Sequence, residues 1–166
     1  MPKEDFGHWG KMVMAISVSD DWWVGSEPAD IQDYLEAYTE SEGGYLAKMF
    51  RQVVCSCGSE RFNLERASEI TRRVCLSCGD IKFICRKIED WEEAESFEDV
   101  EPYACVDCGE PEANIVVGFA RYDENPKIDG VKWFFVGVRC ADCGILCCFN
   151  DGKIGWGPAT AVFESV

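Results

Sequence analysis

The spacing of apolar residues near the start of the chain predicts one strand followed by one helix. Met12–Val18 is a mostly apolar run of strand length. Ser26-Glu27-Pro28 favours a helix start, because proline is tolerated in the first turn and carboxylates interact well with the exposed amides there. Four apolar residues follow at helical spacing: Ile31, Tyr34, Leu35 and Tyr38. They form one stripe that we expect to face a core, and Gly43-Gly44 ends the helix.

Beyond Tyr45 the pattern changes to short β-strands. The predicted strands are Met49–Val54, Phe62–Val74, Ile81–Ile88, Asn114–Tyr122 and Val131–Val138. The second of these is interrupted around Ala67–Ile70, where either a helical turn or a hairpin fits the pattern. A turn is predicted at Asp123–Gly130, and a glycine-rich tail runs from Gly152 to Pro158.

Eight of the eleven cysteines form four closely spaced pairs. The pairs are Cys55/Cys57, Cys75/Cys78, Cys105/Cys108 and Cys140/Cys143. A glycine directly follows each pair, at Gly58, Gly79, Gly109 and Gly144. Two thiolates so close in sequence can bind one ion only if the backbone turns tightly, and glycine adopts the positive φ that such turns often need. We call each pair with its glycine a knuckle. Four knuckles predict two tetrahedral four-thiolate sites and two zinc ions.

The sequence leaves two features of these sites open. Sequential pairing of the knuckles is preferred, because 17 residues separate Cys57 from Cys75 and 31 separate Cys108 from Cys140, and short loops close at lower entropic cost. Interleaved pairing, with the first and third knuckles sharing an ion, is the alternative. The first knuckle is Cys-x-Cys rather than Cys-x-x-Cys, so its geometry is less defined. An iron–sulfur cluster also accepts four cysteine ligands and is the minority alternative to zinc.

Cysteine–glycine knuckles joined by predicted hairpins resemble the zinc-ribbon family, over residues 55–88 and 103–149. The resemblance implies a small antiparallel sheet pinned by zinc in each half. We therefore expect an α+β fold with two zinc-ribbon-like β units and an N-terminal strand and helix. The expected organisation has four parts: residues 1–44, a first unit at 45–88, an acidic linker at 89–101, and a second unit with the C-terminal tail at 102–166.

The charge of the chain favours a basic partner. The formal net charge is −15, and eight thiolates with two Zn²⁺ ions lower it to about −19. Such a surface repels nucleic-acid phosphates and attracts basic proteins. The predicted linker combines apolar side chains with carboxylates, and we expect seven of its residues to contact the partner. They are Trp91, Glu92, Glu93, Glu95, Phe97, Glu98 and Asp99. The alternative is a solvated linker whose aromatic residues pack on the core.

Few residues of the chain suit catalysis. The single histidine, His8, has no evident catalytic partner, and four-thiolate sites leave no coordination position for a reactive water. We therefore expect no enzyme activity. An enzyme that uses Cys147 or Cys148 would need an electropositive cleft around the thiolate.

A small, acidic, cysteine-rich chain without catalytic groups resembles in profile the immunity proteins of bacterial toxin systems. That resemblance implies a protein that binds and neutralises a cognate toxin. A zinc-ribbon accessory subunit of the transcription or translation machinery is the alternative. No apolar run reaches the ~18 residues of a membrane span, and no segment directs export. We expect a soluble cytoplasmic protein, whose paired cysteines are metal thiolates rather than disulfides.

Overall fold

The computed structural model describes residues 16–19, 22–97, 99–121, 130–154 and 158–166. These residues form a mixed α/β fold with three helices and ten strands, and every strand pair among them is antiparallel. The helices are α1 (Asp30–Glu42), α2 (Ile88–Phe97) and α3 (Ala159–Phe163). The strands are β1 (Ile16–Ser19), β2 (Trp22–Gly25), β3 (Met49–Gln52), β4 (Phe62–Ala67), β5 (Ile70–Cys75), β6 (Ile81–Ile84), β7 (Glu101–Pro102), β8 (Ala113–Arg121), β9 (Val131–Cys140) and β10 (Leu146–Lys153).

Helix α1 confirms the predicted helix and its apolar stripe. It begins at Asp30, two residues after the predicted proline start, and ends before Gly43, which adopts a φ of +71°. The buried carboxylate of Asp30 accepts hydrogen bonds from the backbone amides of Ser26 at 2.7 Å and Glu27 at 3.1 Å. Ile31 and Leu35 are completely buried. The helix is therefore held by one apolar face and by a carboxylate that orders the turn leading into it.

One eight-stranded sheet contains strands from both halves of the chain. Its main order is β10-β9-β8-β4-β5-β6, with β3 also beside β8 and β7 also beside β4. Phe62 of β4 pairs with Ala113 of β8, which joins the two halves directly. Strand β3 was expected in the first unit, yet it pairs with β8 from Met49↔Phe119 to Gln52↔Val116. The two predicted β units are thus parts of one sheet rather than separate sheets.

One face of this sheet covers the main core. Its largest completely buried side chains come from both halves: Phe62, Leu64, Ile84, Ile115, Phe119 and Phe134. The sheet curls so that β10 returns to the β4–β5 hairpin. The Asn150 side-chain amide donates hydrogen bonds to the Ser68 carbonyl at 3.2 Å and to the Thr71 hydroxyl at 3.1 Å. The hairpin alternative for Ala67–Ile70 is confirmed, with Ser68 at a φ of +55°.

Helices α1 and α2 cover different parts of the opposite face. Helix α1 packs on β8 and β9 where both strands carry glycine. A Cβ at Gly137 would lie 2.8 Å from the Leu35 Cδ1 atom, so the helix could not approach the sheet as closely over a larger residue. Helix α2 covers β4 and β5 with the buried ring of Trp91, which packs on Ala67 and Ile70. Helix α2 thus lies at the Ala67–Ile70 end of the β4–β5 hairpin, away from the end that carries Cys75.

Three sequence expectations differ from the structure or lie outside it. The predicted acidic linker contains a ten-residue helix, α2, because Trp91 has an apolar site on the sheet to fill. The glycine-rich tail begins inside strand β10, where a register shift between Cys148 and Asn150 disturbs the alternation of side chains. Residues 123–129 of the predicted turn and most of the predicted first strand lie outside the described residues.

Across the described ranges, no helix is both long enough and apolar enough to cross a membrane.

Candidate metal centres

The strand ends bring the eight paired cysteines together as two groups of four. One group contains Cys55, Cys57, Cys75 and Cys78, and the other contains Cys105, Cys108, Cys140 and Cys143. Within each group all four Sγ atoms lie within 4.8 Å of one another. The grouping is sequential, so each cluster draws its ligands from two knuckles of the same half of the chain. Each cluster could hold one metal ion.

The sulfur spacing fits a single tetrahedral ion. Two Sγ–Sγ distances in the first cluster are 3.5 Å, for Cys55–Cys78, and 3.6 Å, for Cys57–Cys75. Two in the second cluster are 3.4 Å, for Cys105–Cys143, and 3.5 Å, for Cys108–Cys140. A tetrahedron with Zn–S bonds of ~2.3 Å has edges of about 3.8 Å. All eleven cysteines are free thiols rather than disulfides.

The knuckles share one backbone geometry. In the second, third and fourth knuckles, the glycine amide donates to the carbonyl of the first cysteine four residues earlier, at 2.9 to 3.0 Å. The first knuckle makes the same bond across three residues, from Gly58 to Cys55 at 2.8 Å. Its Cys-x-Cys sequence is thus a one-residue shortening of the same turn. All four knuckle glycines have positive φ, between +76° and +91°, as the sequence predicted.

Backbone amides favour the thiolate form at the first cluster. The amide of Cys78 hydrogen-bonds the Cys75 sulfur and lowers its pKa to about 6. The amide of Cys57 likewise lowers the pKa of Cys55. The first cysteine of every knuckle is buried, whereas the second is exposed in three knuckles and half-buried in the fourth. Each cluster is therefore anchored in the core on one side and reaches the surface on the other.

Strand register places the two clusters at the same end of the sheet. Cys75 pairs with Phe62, Phe62 with Ala113, and Ala113 with Cys140. These four residues form one row across β5, β4, β8 and β9. Three steps between neighbouring strands, at ~4.8 Å each, separate the Cα atoms of Cys75 and Cys140 by about 14 Å.

A chain of hydrogen bonds links the second cluster to the first. Gly25 donates its amide to the Gly144 carbonyl at 2.9 Å and accepts from Arg139 Nε at 2.8 Å. Arg139 Nη1 donates to Asn114 Oδ1 at 3.1 Å, and Asn114 Nδ2 donates to the Glu60 carbonyl at 2.8 Å. Glu60 follows the first knuckle. Arg139 and Asn114 could not be identified from the sequence, because neither belongs to a motif and their pairing depends on the tertiary fold.

The predicted partner-binding residues divide into buried and exposed members. Trp91 is only 2% exposed, and its indole Nε1 donates to a Glu95 carboxylate oxygen at 3.0 Å. The Arg72 guanidinium lies 4.5 Å from the centroid of the Trp91 ring. Trp91 is therefore a core residue in this structure and is not available as a contact, which corrects that expectation. Its burial agrees with the alternative in which the aromatic residue packs on the core.

The remaining members of that set lie on or after α2. Glu92, Glu93 and Glu95 are exposed on the helix, and Asp99 is exposed after it. Glu98 lies outside the described residues, as does the side chain of Phe97.

The three unpaired cysteines lie in apolar surroundings. Burial raises the pKa of Cys85 to about 12 and that of Cys147 to about 12. Burial also raises the pKa of Cys148, and the nearby Asp151 carboxylate adds to this effect. A thiol with a raised pKa holds little thiolate at neutral pH, so these groups are weak nucleophiles. His8 lies outside the described residues.

Comparisons of the chain with models of protein families, with curated proteins and with solved structures give no match, so its function has to be argued from the two clusters and their surroundings.

Proposed function

We propose that each four-cysteine cluster binds one zinc ion and that the two ions complete the fold of a protein that acts by binding another protein. The observation that carries the proposal is the closed arrangement of four sulfurs within 4.8 Å in each cluster. Four thiolates fill the tetrahedral coordination of zinc and leave no position for a reactive water. The ions would contribute to stability rather than to chemistry.

Zinc suits these clusters better than a multi-iron cluster. An iron–sulfur cluster places iron and sulfide between its cysteine ligands, which separates sulfurs on different irons too far for all four to lie within 4.8 Å of one another, as they do in each cluster. Cobalt replacement tests the tetrahedral geometry. Titrating metal-free protein with Co²⁺ should produce the visible absorption of tetrahedral cobalt thiolate and saturate at two equivalents. Saturation at one equivalent, or an octahedral spectrum, would contradict the proposal.

Two properties of the chain support a binding role. The formal net charge of −15 favours association with a basic surface. The cysteines outside the clusters have raised pKa values and are poorly suited to nucleophilic catalysis. We propose a basic protein as the partner. A toxin domain neutralised by this chain, acting as its immunity protein, is the specific form of the proposal.

Affinity capture followed by kinetics tests the binding role. Zinc-loaded protein is immobilised, exposed to lysate of the source organism, and compared with an unrelated acidic protein of matched net charge. The expected result is a basic protein that only the zinc-loaded chain retains, whose activity falls on binding, and whose association slows as salt increases. Recovery of nucleic acid or ribosomes alone would contradict this role and favour an accessory subunit of the transcription or translation machinery.

A further inference from the structure

Exposed apolar side chains flank the cysteine clusters. We define the knuckle rim as residues 54–60, 75–81, 105–112 and 140–144, which carry the four knuckles at one end of the sheet. Val106 directly follows Cys105 and is 62% exposed, and Leu76 directly follows Cys75 and is 39% exposed. Val54 precedes Cys55 and is 48% exposed, while Ile81 begins β6 and is 51% exposed. Such side chains are costly to expose, and their concentration beside both clusters suggests a contact surface.

The same rim is strongly acidic. Six carboxylates lie on it: Glu60, Asp80, Asp107, Glu110, Glu112 and Asp142. Two exposed cations border the rim: Arg61, whose guanidinium forms a 2.6 Å ion pair with Glu112, and Lys82. Within the described residues, the other five carboxylates form no ion pair. A zinc ion with four thiolates would add about two negative charges at each cluster.

We propose that the knuckle rim is the docking surface for the basic protein partner, an inference that rests on the proposed function. Exposed apolar side chains would provide the buried anchors of the contact, and the surrounding carboxylates would pair with Lys and Arg of the partner. The negative charge of the rim favours a basic protein over a nucleic acid, because the rim would repel the phosphates of a nucleic acid.

Helix α2 is less suited to this role. Among the described side chains of α2, Trp91 is buried against the sheet and Ile88 is the one large apolar residue that is exposed. The carboxylates of α2 therefore have fewer described apolar neighbours than those of the rim, and tight contacts need such neighbours. The rim combines both features. Its loops are also held by the knuckle hydrogen bonds and by the Arg139–Asn114 connection, so less conformational entropy is lost on binding.

Peptide titration monitored by NMR tests the rim directly. The probe is a synthetic peptide of alternating Lys and Leu residues, added to ¹⁵N-labelled, zinc-loaded protein. Oligolysine of equal charge tests the contribution of the apolar residues, and alternating Glu and Leu tests the contribution of charge. The expected result is that amide shifts concentrate on the knuckle rim. Oligolysine should bind about tenfold more weakly, and the acidic peptide should not bind.

Two pairs of variants separate the rim from the rest of the acidic surface. The apolar pair compares Leu76→Ser/Val106→Ser on the rim with Ile88→Ser on α2. The charge pair compares three neutralised carboxylates on the rim with three on α2. The rim set is Asp107→Asn, Glu110→Gln and Asp142→Asn, and the α2 set is Glu89→Gln, Glu92→Gln and Glu93→Gln. Zinc content and thermal unfolding are measured for every variant, so that loss of binding is compared only among folded proteins.

The expected outcome is that each rim variant raises the Kd of the Lys–Leu peptide about tenfold, while both α2 variants stay within about twofold of the parent. Parent-like binding by the rim variants, or shifts centred on α2 or spread over the whole surface, would overturn the inference. A host partner still captured by the rim variants would overturn the rim as its site and leave the proposed function standing. Rim-centred shifts without any basic partner from the host would overturn the proposed function instead.

Discussion

Among the four knuckle glycines, Gly144 is the one at which an added Cβ would meet other atoms of the described chain. Gly109 and Gly144 have similar positive φ angles, +76° and +81°. A Cβ at Gly109 would meet nothing within 4 Å. A Cβ at Gly144 would overlap the backbone carbonyl oxygen of Gly25, at well under 3.0 Å. The variants Gly109→Ala and Gly144→Ala therefore impose the same backbone strain, and only the second adds a steric clash.

The expected cost of each substitution follows from these contacts. Left-handed backbone geometry at alanine costs roughly 1–2 kcal/mol, and the stiffer unfolded chain offsets about 0.4–1 kcal/mol of this. Gly109→Ala should thus cost about 1 kcal/mol. In Gly144→Ala the Gly25 carbonyl must move away. This weakens the 2.9 Å bond from Gly25 to Gly144 and the 2.8 Å bond from Arg139 to Gly25. A neutral and a charged hydrogen bond together contribute about 2–4 kcal/mol.

Urea unfolding at a fixed free zinc concentration measures both variants under comparable conditions, because bound metal adds to the apparent stability. Gly144→Ala should lower the free energy of unfolding by about 3–5 kcal/mol and Gly109→Ala by about 1 kcal/mol. Each variant should still bind two metal ions when folded. Equal losses for the two variants would contradict this expectation, because they would show that the Gly25 contact contributes nothing to stability in solution.

Three further predictions concern the cysteines. Cys143→Ser should remove one metal ion per chain and reduce the cooperative unfolding transition seen by calorimetry, whereas Cys147→Ser should keep both ions. The reverse result would mean that the second site is misassigned. Acid should release metal, because protons compete with the metal for the four thiolates of each cluster, and a chelator dye measures the release; retention that improves on acidification would contradict the assignment. Maleimide at pH 7 should leave Cys85, Cys147 and Cys148 unmodified in the folded protein and label all three after denaturation, as mass spectrometry would show; fast labelling of the folded protein would contradict their raised pKa values.

The candidate clusters could be predicted from the sequence because their geometry is local. A knuckle is defined by a few adjacent residues, and its glycine is required by the positive φ of the same turn. The helix at Asp30–Glu42 was predictable for a similar reason, since its apolar stripe and terminal Gly43 lie within one segment. The sequential pairing of the knuckles could be predicted because short loops close at lower entropic cost.

The shared sheet could not be predicted in the same way. The pairing of β3 with β8 joins residues far apart in sequence, and the alternation of side chains specifies a buried face without specifying the neighbouring strand. Helix α2 was missed because its many carboxylates indicate a solvated segment, and the apolar site for Trp91 exists only in the folded sheet. The Arg139–Asn114 connection likewise depends on strands that meet through tertiary pairing.

Two metal ions, one in each four-cysteine cluster, should complete this fold. Native mass spectrometry of protein purified under reducing conditions, combined with elemental analysis of the same sample, measures them. The expected result is two zinc ions per chain and eleven free thiols after denaturation in chelator. A folded chain that carries one ion or none, or that carries iron with inorganic sulfide, would contradict it.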